Sequence, residues 1–196
     1  MAGLDEAGRG CLFGPVYAAA VVLSPERPVR GLRDSKQLTA PERERLAGLI
    51  RERAEAWAVA WVEAREIDRI NIYQASRLAM KLAVEQLGPP ADYLLVDALT
   101  LETEIPQRGL IRGDARCRSI AAASILAKVD RDAALGRWHE VYPEYGLARH
   151  KGYGTPEHLR ALRLHGPTPE HRRSFAPVRL AGSQMTLFQE AAAGCH

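Results

Sequence analysis

The run GPVYAAAVVL at residues 14–23 constrains this chain more than any other segment. It is apolar throughout, rich in small and β-branched residues, and bracketed by Gly14-Pro15 and Ser24-Pro25. A run this short between turn signals reads as a buried strand, since a bilayer span needs roughly 20 apolar residues. Ile120–Ala127, another long apolar run, is also too short to cross a membrane. The N-terminus has no basic segment followed by an apolar one, so no secretion signal is expected.

The first residues, ending in Leu4-Asp5, are a candidate partner strand. Thr39-Ala-Pro-Glu42 is a capping box with proline in the first turn, and Leu46, Leu49 and Ile50 follow at helical spacing, which predicts a helix over about 40–54. Trp57–Val62 is β-prone. Ile72, Ala75, Leu78, Ala79, Leu82 and Ala83 return to the helical period until Gly88-Pro89-Pro90 stops it. Tyr93-Leu-Leu-Val96 has the pattern of a central strand covered on both faces, and it leads into Asp97. Residues from about Cys117 to Val141 form the longest helical stretch, and its small residues permit close approach to other backbone. Thr155-Pro156-Glu157 and Thr168-Pro169-Glu170 repeat one capping signal and predict two short C-terminal helices.

This alternation predicts an α/β layer structure with helices on a central sheet, and in such sheets sites gather at strand ends and helix starts. At 196 residues, with 46% apolar and 26% charged, the chain can bury one sizeable core. One domain is expected over residues 1–180, and the Gly, Ser, Gln and Ala composition of 181–196 reads as a mobile tail. Cys11, Cys117 and Cys195 are odd in number and lack metal-ligand spacing, which fits a reducing compartment; cytoplasm and a monomer are expected. Of the 27 basic residues 23 are arginine, a side chain suited to phosphate, although codon bias gives the same excess.

The chemistry lies in the acids. Asp5-Glu6 precede the glycine-rich turn Ala7-Gly8-Arg9-Gly10, Asp97 ends an apolar strand, and Asp114 follows Gly113 near the start of the long helix. Within a strand, Asp5 and Glu6 would point to opposite faces; at a fraying end both could converge on one cation. Gathered carboxylates repel one another, and a divalent cation resolves the conflict. Oxygen-only ligands select Mg²⁺ or Mn²⁺ over zinc and suit phosphoryl transfer. Spacing alone equally allows turn or cap roles for Asp5, Asp97 and Asp114. Asp130 and Asp132 face different directions on a helix and read as solvated or structural. Gly8-Arg9-Gly10 can bring backbone N–H groups close to a phosphate or sugar. Asp34-Ser35-Lys36 and His150–Thr155 add cations, a hydroxyl and an aromatic ring, and ordinary loop chemistry accounts for either as well.

Taken together, AGLDEAGRGCLFGPV, LRDSKQL, INIYQAS, LLVDAL, RGDARCRSIAAASILAKVDRD and HKGYGTPEH resemble the bacterial type 2 ribonucleases H, ribonuclease HII, over about residues 2–178. The resemblance implies a ribonuclease-H-like mixed central sheet flanked by helices, with a small helical C-terminal region. It implies an endonuclease that cuts the RNA strand of RNA–DNA hybrids, or cuts 5′ of a single ribonucleotide embedded in duplex DNA, leaving 3′-hydroxyl and 5′-phosphate ends. The family's four acids fall on Asp5, Glu6, Asp97 and Asp114, which would hold Mg²⁺ or Mn²⁺, two ions once substrate is bound. Its glycine-arginine-glycine element falls on Gly8, Arg9 and Gly10, and its recognition tyrosine on Tyr153. Ser35, Lys36, Asn71, Gln74 and Lys151 are further candidates, for backbone phosphates. The related ribonuclease HIII carries a long N-terminal domain, whereas Asp5 stands close to the first residue here, which favours HII.

In the tail, Gln184-Met185-Thr186-Leu187-Phe188 resembles the short peptide that docks bacterial replication and repair proteins on the sliding clamp, through Gln184, Met185, Leu187 and Phe188; an incidental apolar patch reads the same way. Two other functions use part of these features. A metal-dependent phosphatase on a small substrate needs the acids without the basic loops, and a catalytically silent hybrid-binding protein needs the loops without the acids.

Overall fold

A computed structural model describes residues 1–183. Five strands form one mixed sheet in the order β3-β2-β1-β4-β5: β1 (Ala2–Ala7), β2 (Val16–Val22), β3 (Ala56–Val62), β4 (Leu94–Asp97) and β5 (Gln107–Leu110). β1, β2 and β3 pair antiparallel, whereas β4 runs parallel to both β1 and β5. The helices are α1 (Ala40–Arg53), α2 (Ala64–Glu85), α3 (Gly113–Arg116), α4 (Arg118–Val141), α5 (Leu147–His150), α6 (Pro156–His165) and α7 (residues 176–183). No helix among the described residues is long and apolar enough to cross a membrane.

β2 is apolar throughout because both its faces are covered. Val16, Ala18 and Ala20 pack with Ile67, Ala75, Ala79 and Met80 of α2. Tyr17, Ala19 and Val21 pack with Ile125 and Leu126 of α4 and with Leu46 and Ile50 of α1. Alternation along a strand produces this division, and each fully buried Leu or Ile contributes about 1.5–3 kcal/mol. α4 crosses β1 at Gly3, where a Cβ would stand 2.2 Å from the carbonyl carbon of Ser119, so only glycine permits this approach. A third cluster, with Leu12, Phe13, Leu135, Tyr145, Leu162 and Val178, seats the C-terminal helices on the end of α4.

The predicted strands and the helices at α1, α4 and α6 are present. Thr39 and Glu42 form the expected capping box, and Thr155 caps α6 through His158 N–H. α2 starts earlier than its apolar period suggests, at Ala64, and is interrupted at Asn71 (φ 67°, ψ 163°); Asn71 Oδ1 then accepts the Gln74 N–H, restarting the helix. β5 and α3 carry too few apolar residues to show a period. Thr168-Pro169-Glu170 corrects the reading: it begins no helix. The Thr168 N–H and hydroxyl instead engage His171 Nδ1 at 3.0 and 2.9 Å, closing a turn, and α7 begins only at residue 176. α7 continues past residue 180, with Ala181 buried.

Candidate active site

β1 pairs with β4 only from Ala2 to Leu4, opposite Leu94 to Val96. Beyond that point β1 stays paired with β2 through Ala7, while Asp97 pairs with Leu110 of β5. The two parallel strands therefore part where their acids begin. The fraying expected after Leu4 occurs on the β4 side alone, at the carboxyl ends of β1 and β4.

Asp5 is 5% exposed, and its Oδ1 accepts the Glu6 N–H at 2.7 Å. Asp97 Oδ1 accepts the Gly113 N–H at 2.6 Å, which brings the start of α3, and with it Asp114, to the end of β4. Asp114 in turn accepts the Ala115 N–H. Glu6 Oε1 receives Arg9 at 3.3 Å, while its Oε2 is buried without a partner. Among the described residues no group of three or more His, Cys, Asp and Glu side chains stands close enough together to hold a metal ion as placed. The acids are electrostatic neighbours nonetheless.

Burial holds the Asp5 carboxyl well above the usual aspartate range; Glu6 and Asp97 raise it further and a hydrogen bond from the Ser124 side chain offsets part of the effect. Glu6 is raised by burial, and also by Asp97, against the pull of Arg9. Asp114 is raised by burial and then by Asp34 and Asp97. Asp97 is thus the shared neighbour of the other three acids. Asp5, Glu6 and Asp114, raised by burial and by neighbouring carboxylates, with one buried Glu6 oxygen unpartnered, suit a hard divalent cation.

The glycine turn follows directly on the end of β1. Gly8 has φ +95°, and a Cβ there would meet Arg131 Nε at 2.1 Å. Arg131 and Arg172 are fully buried. Arg131 donates to the carbonyls of Lys151 and Phe13, and Arg172 to those of Arg9 and Gly14, so two buried guanidiniums hold residues 8–14 against the loop that carries Tyr153. Cys11 and Tyr153 form a β-bridge, and the half-exposed Tyr153 ring lies beneath Lys128 Nζ at 5.7 Å. Gly10 is exposed, and a Cβ added there would meet nothing within 4 Å.

The lesser candidates scatter. Lys36 is exposed, whereas Ser35 is buried with its hydroxyl 2.9 Å from Ser124 Oγ, the same hydroxyl that bonds Asp5. Asn71 and Gln74 sit at the interruption of α2, each occupied in helix-internal hydrogen bonds. Lys151 takes a left-handed conformation and its carbonyl anchors Arg131. Asp130 pairs with Arg51, and Asp132 with Lys128, as structural roles require. Gln184, Met185, Leu187 and Phe188 lie outside the described residues. Sequence reasoning passed over Ser124, Arg131, His158, His171 and Arg172. A hydroxyl within the alanine-rich run 121–127 and the polar cluster His171-Arg172 were the available signals.

The family model for ribonuclease HII matches residues 2–178. Ribonuclease HII of Solibacter usitatus is 65% identical over 179 residues, covering 91% of this chain and 78% of that protein. Among solved structures, the ribonuclease H2 of Pyrococcus horikoshii superposes with TM-score 0.80 at 26% identity, covering 94% of this chain and 98% of that one. Ribonuclease HII of Archaeoglobus fulgidus, solved in complex with PCNA, has TM-score 0.74 at 27% identity, covering 87% and 91%. This chain belongs to the ribonuclease HII family, endonucleases of the ribonuclease H type.

Proposed function

We propose that this endonuclease cuts the RNA strand of RNA–DNA hybrids and cuts 5′ of single ribonucleotides embedded in duplex DNA, leaving 3′-hydroxyl and 5′-phosphate ends, and so begins the removal of ribonucleotides from DNA. The observation that supports this reading is that Asp5, Glu6 and Asp114 each feel the charge of Asp97 where β1 and β4 part, beside a glycine turn pinned to the Tyr153 loop.

The four acids would hold Mg²⁺ or Mn²⁺, two ions with substrate present. The unpartnered Glu6 oxygen and the mutual repulsion centred on Asp97 support that fit. When bound, such cations neutralise phosphate charge and make water a better nucleophile at neutral pH. The protein's own residues do the rest. Gly113 N–H and the Ser124 hydroxyl orient Asp97 and Asp5. Selectivity has to come from the ribose 2′-hydroxyl, the atom that distinguishes RNA from DNA at one nucleotide. In the Gly8-Arg9-Gly10 turn, Gly8 is packed on Arg131 and the Arg9 carbonyl is held by Arg172, which leaves the exposed backbone of Gly10 free of side-chain obstruction for that contact. The Tyr153 ring packs on the neighbouring sugar, and its hydroxyl, kept neutral because burial pushes its ionisation up, donates towards the 2′-oxygen. Lys36 and Lys151 would meet backbone phosphates, which makes binding weaken with salt.

A labelled DNA duplex bearing one ribonucleotide, incubated with Mg²⁺ or Mn²⁺ and then with chelator, tests the reading. A single nick 5′ of the ribonucleotide that chelator abolishes is expected. Binding without cutting would support the silent hybrid-binding protein, and neither binding nor cutting would support a small-molecule phosphatase.

The tail peptide Gln184–Phe188 would dock on the sliding clamp, a reading supported by the PCNA complex of the Archaeoglobus relative. A peptide of residues 183–189 should bind the clamp; no binding at high micromolar concentration removes the assignment.

A further inference from the structure

The loop that carries Tyr153 is held by histidines that the chemistry above does not use. His158 and His171 are both fully buried, with their Nε2 atoms 3.1 Å apart. His158 Nδ1 lies 2.9 Å from the Tyr153 carbonyl oxygen, and that oxygen can only accept, so Nδ1 carries the proton. A neutral ring then leaves His158 Nε2 as an acceptor, and His171 Nε2–H must donate to it. His171 Nδ1 is in turn an acceptor, and it receives the Thr168 N–H and hydroxyl at 3.0 and 2.9 Å. Every ring nitrogen is satisfied by one assignment, and the chain of donors runs in one direction from Thr168 to Tyr153. Burial keeps both rings neutral, with His158 lowered to about 4 and His171 to about 3.

The segment that supplies His171 also holds the glycine turn. His171 bridges to Phe13, and the next residue, Arg172, donates its N–H to Leu12 O and its guanidinium to the carbonyls of Arg9 and Gly14. Two adjacent residues therefore anchor the two elements assigned to the sugar, one through His158 and the other directly. His150 completes the frame. It stacks on His158 with ring centroids 4.6 Å apart and accepts the Gly152 N–H.

We propose that His158 and His171 are positioning residues that set Tyr153 relative to the Gly8–Gly10 turn, and thereby control cleavage at a single ribonucleotide. The proposal rests on the placement of Tyr153 at the substrate sugar. Its distinctive element is the donor at Nδ1 of residue 158, which asparagine reproduces and glutamine does not, because the glutamine amide reaches the Nε2 position instead.

The test uses the full chain with His158→Asn, His158→Gln and Tyr153→Ala, and both His158 changes in the Tyr153→Ala background. Single-turnover cleavage of a duplex with one ribonucleotide is measured beside melting temperature. His158→Gln should lose tenfold or more in cleavage, and His158→Asn should recover at least fivefold of that loss at a similar melting temperature. In the Tyr153→Ala background the two changes should be indistinguishable. Equal rates for Asn and Gln in the parent, or an undiminished gap between them without Tyr153, would overturn the relay. If Tyr153→Ala itself cleaves like the parent, the assignment of Tyr153 to the sugar fails, and the relay with it. If His158→Gln does not fold, the Thr168→Val variant, which removes the hydroxyl at the far end of the chain, carries the comparison: it should lose at least threefold in cleavage in the parent and nothing in the Tyr153→Ala background, and any other pattern rejects the proposal.

Discussion

The backbone N–H of Gly113 donates to Asp97 Oδ1 across 2.6 Å, so the carboxylate that ends β4 also fixes the first turn of α3. Asp97→Asn preserves that bond, because the amide oxygen still accepts, but removes the negative charge that Asp5, Glu6 and Asp114 all sense. The melting temperature should stay within a few degrees of the parent. Turnover of a single-ribonucleotide duplex should fall at least about a hundredfold, as when one charge-stabilising group is removed from a preorganised site. Activity within a few-fold of the parent would take Asp97 out of the mechanism.

Gly8 and Gly10 flank Arg9 yet differ physically. Gly8 combines φ +95° with contact against the buried Arg131 side chain, whereas a Cβ on Gly10 meets nothing. Gly8→Ala should cost about 2–4 kcal/mol, from left-handed strain plus displacement of a buried guanidinium. Gly10→Ala should leave stability within about 0.5 kcal/mol. Urea unfolding of both variants decides the matter, and equal midpoints would show that Arg131 yields freely.

Asp5 and Glu6 have raised proton affinities in the folded state, so between the ordinary carboxylate range and their raised values the folded protein binds more protons than the unfolded chain. Stability therefore falls as pH rises through that window. In chelator, Asp5→Asn should raise the melting temperature at neutral pH and flatten this fall. Added Mn²⁺ should stabilise the parent more than the variant. A variant less stable than the parent at pH 7 without metal would contradict the burden assigned to the buried charge.

β2 and β4 were legible because they are bounded by punctuation, Gly14-Pro15 and Ser24-Pro25 around β2 and Asp97 at the end of β4, whereas the polar edge strand β5 carried no such signal. The four acids were legible by resemblance and by their place at strand ends and before the long helix. The supports were not. Arg131 lies in a helix between two acids that pair elsewhere, and nothing local shows that its guanidinium turns inwards to Phe13 and Lys151. Ser35 reads as a loop hydroxyl, and only the packing of α4 against residues 35–38 places it on Ser124, inside the site's foundation. Thr168-Pro169-Glu170 shows the same limit in reverse. Its local signal is a good helix cap, and the Thr168 hydroxyl oxygen does accept the Glu170 N–H at 3.3 Å. The Thr168 N–H and hydroxyl both close on the His171 ring, however, and the chain makes a turn instead of a helix.

Removing the Tyr153 hydroxyl gives up its hydrogen bond with the Cys11 side chain but keeps the loop in place, because the backbone of residue 153 is held by Cys11, Thr155 and His158. Tyr153→Phe should keep the parent's melting temperature and lose about tenfold in cleavage at a lone ribonucleotide, the value of one well-placed hydrogen bond. An unchanged rate would reject a role for the hydroxyl.

His158 and His171 also make the fold acid-sensitive, with a sign opposite to that of the buried carboxyls. Unfolded imidazoles take up protons as pH falls through about 6.5, whereas the folded rings resist until about 4 and about 3. In that interval the unfolded chain binds more protons, so stability is complete above pH 6.5 and is lost as pH falls towards the folded values. Residue 158 alone should account for about 2–3 kcal/mol between pH 7 and pH 4.5. His158→Asn has no imidazole to protonate and keeps the donor to Tyr153, so its urea midpoint in chelator should change less over that range by a corresponding amount. An identical pH dependence in variant and parent would mean that His158 gains its proton without unfolding, and that the Nε2 contact with His171 opens readily in the folded protein.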